Sequence, residues 1–97
     1  MGLSKISIAR SKGALKFTPA SLKAQTDDQI FWVNNDKQTQ QPVVVNPNGT
    51  HVPIVDPIDP GTTSNVFAPS TAKASYTISY TLASNPSVTG KIQVIIS

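Results

Sequence analysis

The 97-residue chain contains no cysteine. This absence excludes disulfides, zinc ribbons, thiolate nucleophiles and thiolate-bound copper or iron–sulfur clusters. It contains no glutamate either. Its acids are Asp27, Asp28, Asp36, Asp56 and Asp59, all in contexts that read as turns, where Asp caps backbone. No carboxylate pair or Ser-His-Asp motif stands out, so the chain reads as a non-enzyme. Charged residues make up 13% of the chain, against about a quarter in an average domain. The eight Lys and Arg, with a net charge of +3, are scattered from Lys5 to Lys91. They form no basic stripe with interleaved aromatics, so nucleic acid is not an expected partner. No apolar run approaches the ~20 residues of a membrane span, and no Gly-rich phosphate loop occurs. Met1 to Arg10 lacks the apolar core of a signal peptide. It reads equally as a native cytosolic start or as one that replaced a removed signal.

What fills the composition is Ser, Thr, Asn, Gln and Pro, a mix poor in helix formers and rich in β and turn formers. The length suits one domain, residues 1–97, with no linker, repeat or low-complexity tail. Period-two alternation recurs and no helical periodicity appears, so the fold class is all-β. Strands are predicted at Ser4–Ala9, Ala14–Phe17, from Leu22 to Ala24, Ile30–Asn34, Pro42–Val45, Thr50–Val55, Thr63–Phe67, Ser75–Leu82 and Lys91–Ile96. Lys12-Gly13, Thr26-Asp27-Asp28 and Asn46-Pro47-Asn48-Gly49 read as turns, and "DPIDPG" (Asp56 to Gly61) as a turn-rich connector. Pro53 confines the Thr50–Val55 segment to a sheet edge. With the Thr50–Val55 edge segment set apart, about seven or eight short strands with regular turns imply a sandwich or small barrel.

With these elements placed, the chain resembles the cupredoxins, small copper proteins, over nearly its whole length. The resemblance rests on Phe17-x-Pro19-x-x-Leu22, on Asp28-x-Ile30-x-Trp32-x-Asn34 with Asn35-Asp36, on Pro60-Gly61 and Phe67, and on Tyr80 with Gly90-x-Ile92-x-Val94. Asp27 stands where the family usually has Gly. The resemblance implies a Greek-key β-sandwich and, by analogy alone, a periplasmic or secreted setting. The family's metal loop reads Y-x-C-x-x-H-P-x-M-x-G. Aligned on Tyr80, Pro86 and Gly90, its cysteine position is Leu82, its histidine Asn85 and its axial methionine Val88. The other histidine position falls on Gln40 or Gln41. Blue copper needs a thiolate, two imidazoles and a weak axial donor. Leu82 and Val88 have no lone pair, and the amides are weak ligands, so no metal or other cofactor is expected. Leu82 and Val88 are expected to fill the vacated volume, and the amides of Gln40 or Asn85 to bond loop backbone.

Other candidates are weighed against plainer readings. His51, the single histidine, follows a turn and reads as solvated rather than as a ligand or base. Asp56 and Asp59 offer a Ca²⁺ reading, but their Asp-Pro context favours a turn. Asn48-Gly49-Thr50 is formally a glycosylation acceptor, yet Asn-Gly explains itself as a hairpin turn. Trp32 reads as core rather than as a sugar-stacking platform. Phe31 and Val33 alternate with Ile30 and Trp32, so they point outward and contribute to a partner surface unless the Ser11–Pro19 segment covers them.

These readings favour a monomeric, copper-free, non-catalytic binding or structural module. Its surface for a protein or glycan partner would combine Asn35, Asp36, Gln40, Gln41, Asn85, Pro86, Phe31 and Val33, on the expectation that the loops Asn34–Gln41 and Ala83–Thr89 meet at one end. The alternatives are a metal-binding or electron-transfer cupredoxin with non-standard ligands, and an immunoglobulin-like adhesion module.

Overall fold

A computed structural model describes residues 2–69 and 74–95. The described chain is all-β. Its strands are β1 (Leu3–Ser11), β2 (Ala14–Thr18), β3 (Ser21–Gln25), β4 (Gln29–Asn34), β5 (Pro42–Val45), β6 (His51–Pro53), β7 (Tyr76–Leu82) and β8 (Asn85–Ile95). They form a three-stranded sheet, ordered β2-β1-β4, and a five-stranded sheet, ordered β3-β8-β7-β5-β6. β1 runs parallel to β4 and β3 parallel to β8, whereas the other pairs are antiparallel. Immunoglobulin-type sandwiches are built from antiparallel sheets, so the two parallel pairs set that alternative aside.

Local chemistry explains the tightest connection. Lys12 and Gly13 both have positive φ, 51° and 82°, and Ser11 pairs directly with Ala14. This is the two-residue type I′ hairpin, whose twist matches the flanking strands. Alternation then sorts the faces. Ile6 and Ile8 of β1, Leu15 and Phe17 of β2, and Ile30 and Trp32 of β4 point inward. They meet Ala24, Tyr80, Leu82, Ile92 and Val94 of the facing sheet, with Val55 and Ile58 from the connector closing the core. Each such large side chain contributes about 1.5–3 kcal/mol by leaving water. Trp32 is core, as its strand pattern requires.

Three expectations are corrected. Thr63–Phe67 is not a strand. It follows the free edge of β4 through isolated bridges at Val33–Thr63 and Ile30–Phe67, and between them the Trp32 amide donates to the Ser64 hydroxyl (2.9 Å) instead of to a carbonyl. A side chain in the ladder's place breaks the regular pairing. The second correction concerns Thr50–Val55, of which only His51–Pro53 pairs as the exposed edge β6. Ile54 and Val55 leave the sheet, and Val55 is buried in the core. Third, the segment predicted as a loop at Ala83–Thr89 is mostly strand, because β8 starts at Asn85 rather than Lys91. Only Ala83 and Ser84 turn, and the register jumps between Thr81 and Leu82, so that Leu82 faces Asn85 while Thr81 faces Thr89. Of the two readings open for Phe31 and Val33, cover by the Ser11–Pro19 segment is set aside, because β2 lies beside β1 in the plane of its sheet; both residues are half-buried on the outer face. Ile96, predicted to end the last strand, lies outside the described residues.

Candidate functional site

The loop after β4 and the β7–β8 turn come together at one end of the sandwich. Their meeting begins with Asn34, the last residue of β4 and fully buried. Its Nδ2 donates to the carbonyls of Gln38 and Ile58, both at 2.8 Å, and its Oδ1 accepts the Asp36 amide at 2.9 Å. One side chain thus fixes both ends of a short polar loop against the connector. Across that loop, the backbones of Gln40 and Ile58 exchange hydrogen bonds at 3.0 and 2.8 Å.

The loop folds Asp36 inward, where it is 6% exposed. Arg10, from β1, donates to Asp36 through Nε at 3.2 Å and through Nη2 at 3.4 Å. Gln40 Nε2 donates to Asp36 Oδ2 at 2.9 Å. The amide's other end is also used, because Gln40 Oε1 accepts the Ser84 hydroxyl at 2.6 Å. Arg10, Asp36, Gln40 and Ser84 therefore form one continuous chain from the first strand to the β7–β8 turn. The Arg10 hydrogen bond holds the Asp36 carboxyl down at about 2, helped by Gln40 and the Lys37 amide against the opposing effect of burial.

The remaining predicted residues find structural places around this chain. Leu82 is fully buried and Val88 is 8% exposed, both within the core. Gln41 is half-buried. Its Nε2 donates to the Val55 carbonyl at 3.1 Å, and its carbonyl accepts the Ala83 amide at 2.9 Å. Asn85 is half-buried, and its Oδ1 accepts the Ser87 hydroxyl at 2.6 Å and the Ser87 amide at 3.3 Å. Thr81, buried beneath the turn, donates its hydroxyl to the Val88 carbonyl.

Asn85 thus bonds backbone, as expected of one of the two amides, but that of Ser87 within β8 rather than of a loop. Gln40 does not: its side-chain amide is taken by two side chains, and it is 1% exposed. Asp36 and Gln40 are accordingly corrected from contact surface to interior brace, since their polar atoms satisfy one another and close over. Asn35 and Pro86 are exposed at this end. Phe31 and Val33 lie along β4, on the outer sheet face, and do not join the loops. His51 is exposed on β6, opposite Val45 at the end of β5 away from Gln41. Among the described residues, no three His, Cys, Asp or Glu side chains cluster as a metal site would require. Asp59 closes a turn through its carbonyl, which accepts Thr62, and its side chain accepts Thr39. Asp28 caps the Gly2 and Gln25 amides, each at 2.8 Å.

Sequence reasoning did not find Arg10 or Ser84. Arg10 is 26 positions from Asp36 and Ser84 is 44 from Gln40, and neither sits in a local motif. The signal that existed was indirect: a loop with a single acid and several amides needs donors from elsewhere once it is buried.

The donor set does not suit the copper that this kind of sandwich commonly carries. Leu82 and Val88 present hydrocarbon, Gln40 has both amide ends engaged, and Asn85 spends its oxygen on Ser87. No thiolate or imidazole stands at these positions.

No protein-family model matches the chain, and no curated protein matches its sequence. Solved structures do match. A purple cupredoxin from Nitrosopumilus maritimus superposes with a TM-score of 0.76 at 17% identity, covering 94% of this chain and 98% of that one. The oxidized state of an amicyanin mutant superposes with a TM-score of 0.70 at 16% identity, covering 93% of this chain and 79% of that one. A reduced mutant of amicyanin gives 0.69 at 15% identity, with the same coverage. At such identities the likeness speaks for architecture. The paired sheets, the inward Trp32 and the Tyr80–Gly90 frame of the turn all agree with it, and the chain has the cupredoxin fold.

Proposed function

We propose that this domain is a copper-free, non-catalytic cupredoxin-like module that acts by docking a partner, most simply a protein, at its loop end. The observation that carries this reading is the closure of the Gln40 amide. Its nitrogen is spent on Asp36 and its oxygen on Ser84, while the neighbouring ligand positions are filled by Leu82 and Val88. A metal at this end would have to break a satisfied buried network and would find no soft donor in return. The same end presents Asn35, Ala83, Ser84 and Pro86 to solvent. Those four side chains are small and uncharged, with exposed Lys37 and the partly exposed Arg10 beside Asn35 at their margin. Partners of β-sandwiches characteristically dock on such end loops. No aromatic side chain stands on it for a sugar to stack against, which favours a protein over a glycan. The reading takes the domain to be a monomer, with Pro53 in the exposed edge strand β6 discouraging sheet-to-sheet pairing.

The test is an amide NMR titration of the purified protein with Cu(I), Cu(II), Zn²⁺ and Ca²⁺. Expected are no saturable shifts in residues 35–41 or 83–88 at micromolar metal. Localised saturable shifts there would overturn the reading in favour of a metal or electron-transfer role with non-standard ligands. Shifts confined to His51 would leave it standing.

A further inference from the structure

We propose that Asn48 is a site of spontaneous deamidation in the folded protein, with Thr50 supplying the donors that hold the reaction's oxyanion. The turn between β5 and β6 is built from Asn46, Pro47, Asn48, Gly49 and Thr50. The Gly49 amide donates to the Asn46 carbonyl at 2.9 Å, and the Asn46 amide to the Thr50 carbonyl at 2.9 Å. Gly49 has φ +86°, while Asn48 is not among the positive-φ residues. Pro47 and Asn48 therefore form the centre of the turn, and Gly49 takes the left-handed position after it, which glycine occupies at no steric cost. Asn48, Gly49 and Thr50 are exposed, and a β-carbon built on Gly49 would meet nothing within 4 Å.

The carboxamide of Asn48 is held by its oxygen. Its Oδ1 accepts the Thr50 amide at 3.1 Å and the Thr50 hydroxyl at 2.7 Å. The hydroxyl is itself polarised, because Asn46 Nδ2 donates to it at 3.0 Å. The backbone donor identifies the accepting atom as the amide oxygen rather than its nitrogen. Two donors two residues on fold the side chain back over the turn that contains the Gly49 amide. They are also placed where negative charge develops when this carbonyl is attacked, the arrangement that stabilises acyl-transfer intermediates in general.

The chemistry balances with water alone. The Gly49 amide leaves the Asn46 carbonyl and gives its proton to hydroxide. Its nitrogen attacks Cγ of Asn48, and the tetrahedral oxyanion rests on the two Thr50 donors. Water protonates the leaving nitrogen, the Cγ–Nδ2 bond breaks and ammonia departs, so the hydroxide is regenerated and a five-membered imide remains. Water then opens either carbonyl, leaving aspartate or isoaspartate at position 48. The other asparagines are poorly placed for this. Asn46 and Asn85 precede proline and so lack the attacking N–H, and Asn65 precedes the β-branched Val66. Asn34 is buried with its amide nitrogen committed to two carbonyls, and Asn35 precedes Asp36, whose amide is buried against Asn34 Oδ1. The product carries a carboxylate at the hairpin tip, and the isoaspartate form lengthens the main chain inside the turn that joins β5 to β6.

The experiment ages the purified protein at mildly alkaline pH, where more hydroxide is present to take the Gly49 proton, and follows residues 38–73, the tryptic peptide between Lys37 and Lys73, by mass and fragmentation. The expected result is a gain of about 1 Da at Asn48, with Asn46 and Asn65 in the same peptide unchanged. Thr50→Val should slow the conversion about three- to tenfold, the worth of one ordinary hydrogen bond, and Thr50→Ser should restore it. The proposal is overturned if the folded protein is inert at Asn48 while the urea-unfolded chain converts, since the turn would then protect the site. It is equally overturned if Thr50→Val converts as fast as wild type or faster, the result expected if Thr50 only keeps the turn closed.

Discussion

Tyr80 lies across Gly90 on the adjacent strand so closely that a β-carbon at Gly90 would stand 2.5 Å from the phenol Cζ and 2.6 Å from its oxygen. Glycine at position 90 is required for that approach, and the approach sets the aromatic packing of the core. Tyr80 meets Phe17 at 4.6 Å between ring centroids and Trp32 at 5.6 Å, both edge-on. Gly90→Ala should therefore displace a ring at the centre of the sandwich, with a cost of about 1–3 kcal/mol for overpacking. Denaturant unfolding with Trp32 fluorescence would read both the stability and the altered ring contact. An unchanged midpoint would mean that the strands slide to admit the methyl group.

The Tyr80 hydroxyl makes a second prediction. Burial pushes its ionisation well above the ordinary value of 10.0, and the neighbouring Trp32 N–H offsets this only in part. Neither Tyr80 Oη nor Trp32 Nε1 meets a partner at hydrogen-bonding geometry. The folded state holds the proton more tightly than the unfolded chain. This contribution is complete below the unfolded value and is lost as pH rises past it, by about 1.4 kcal/mol per pH unit. Tyr80→Phe should abolish that slope. It should also leave neutral-pH stability unchanged or raise it by up to about 1 kcal/mol, since it removes an unpaired buried hydroxyl. Urea midpoints of both proteins across the alkaline range decide the matter, and parallel curves would sink the assignment.

Asp36 predicts the opposite edge of the pH range. Its folded value, about 2, lies below the ordinary 3.8, so its contribution is complete above the unfolded value and is lost as pH falls toward the folded one. The Arg10 side chain is 43% exposed, and solvent screening at that end keeps the contribution to about 1 kcal/mol. Asp36→Asn should cost that much near neutrality and nothing at about pH 2, where the wild-type carboxyl is itself losing its charge. Measuring the two proteins' unfolding midpoints from neutral to acid would show the curves converging. A constant gap would mean that Asp36 acts through shape rather than charge.

The strand set was legible because it follows local rules. Alternation at Ile6/Ile8 and Ile30/Trp32, and the Lys12-Gly13 turn, depend on residues within a few positions of one another. The cupredoxin frame was legible for a similar reason, through short motifs in order. What escaped was decided across the fold. Thr63–Phe67 has the composition of a strand, but the Ser64 hydroxyl takes a place in the β4 ladder that no local pattern reveals. Asn85–Thr89 reads as a loop, yet it becomes strand because Thr81 and Leu82 lie across from it. At the site, the positions were marked but their burial was not. Nothing near Asp36 announces that Arg10 will reach it from β1, and without that partner a buried carboxylate is not an expected outcome.

The two glutamines offer the sharpest remaining contrast, because sequence alone left open which of Gln40 and Gln41 stands at the first histidine position. Gln40 is the fully buried one, with its amide bonded at both ends to Asp36 and Ser84. Gln41 is half-buried and contributes one side-chain bond, to the Val55 carbonyl. Gln40→Ala would leave Asp36 short of a donor and open a void beside Ser84, so its cost should be about 2–3 kcal/mol, the range for a buried polar partner removed from a charged group. Gln41→Ala forfeits one partly solvated bond, and water can replace the lost partner, so about 0.5–1 kcal/mol is expected. Ser84→Ala should fall between them and should be non-additive with Gln40→Ala, because both remove the same bond. Chemical denaturation of the three single variants and the Gln40/Ser84 double variant measures all of this in one series. If the double variant equals the sum of its parts, Ser84 and Gln40 are not joined, and the brace at this end is not the one described.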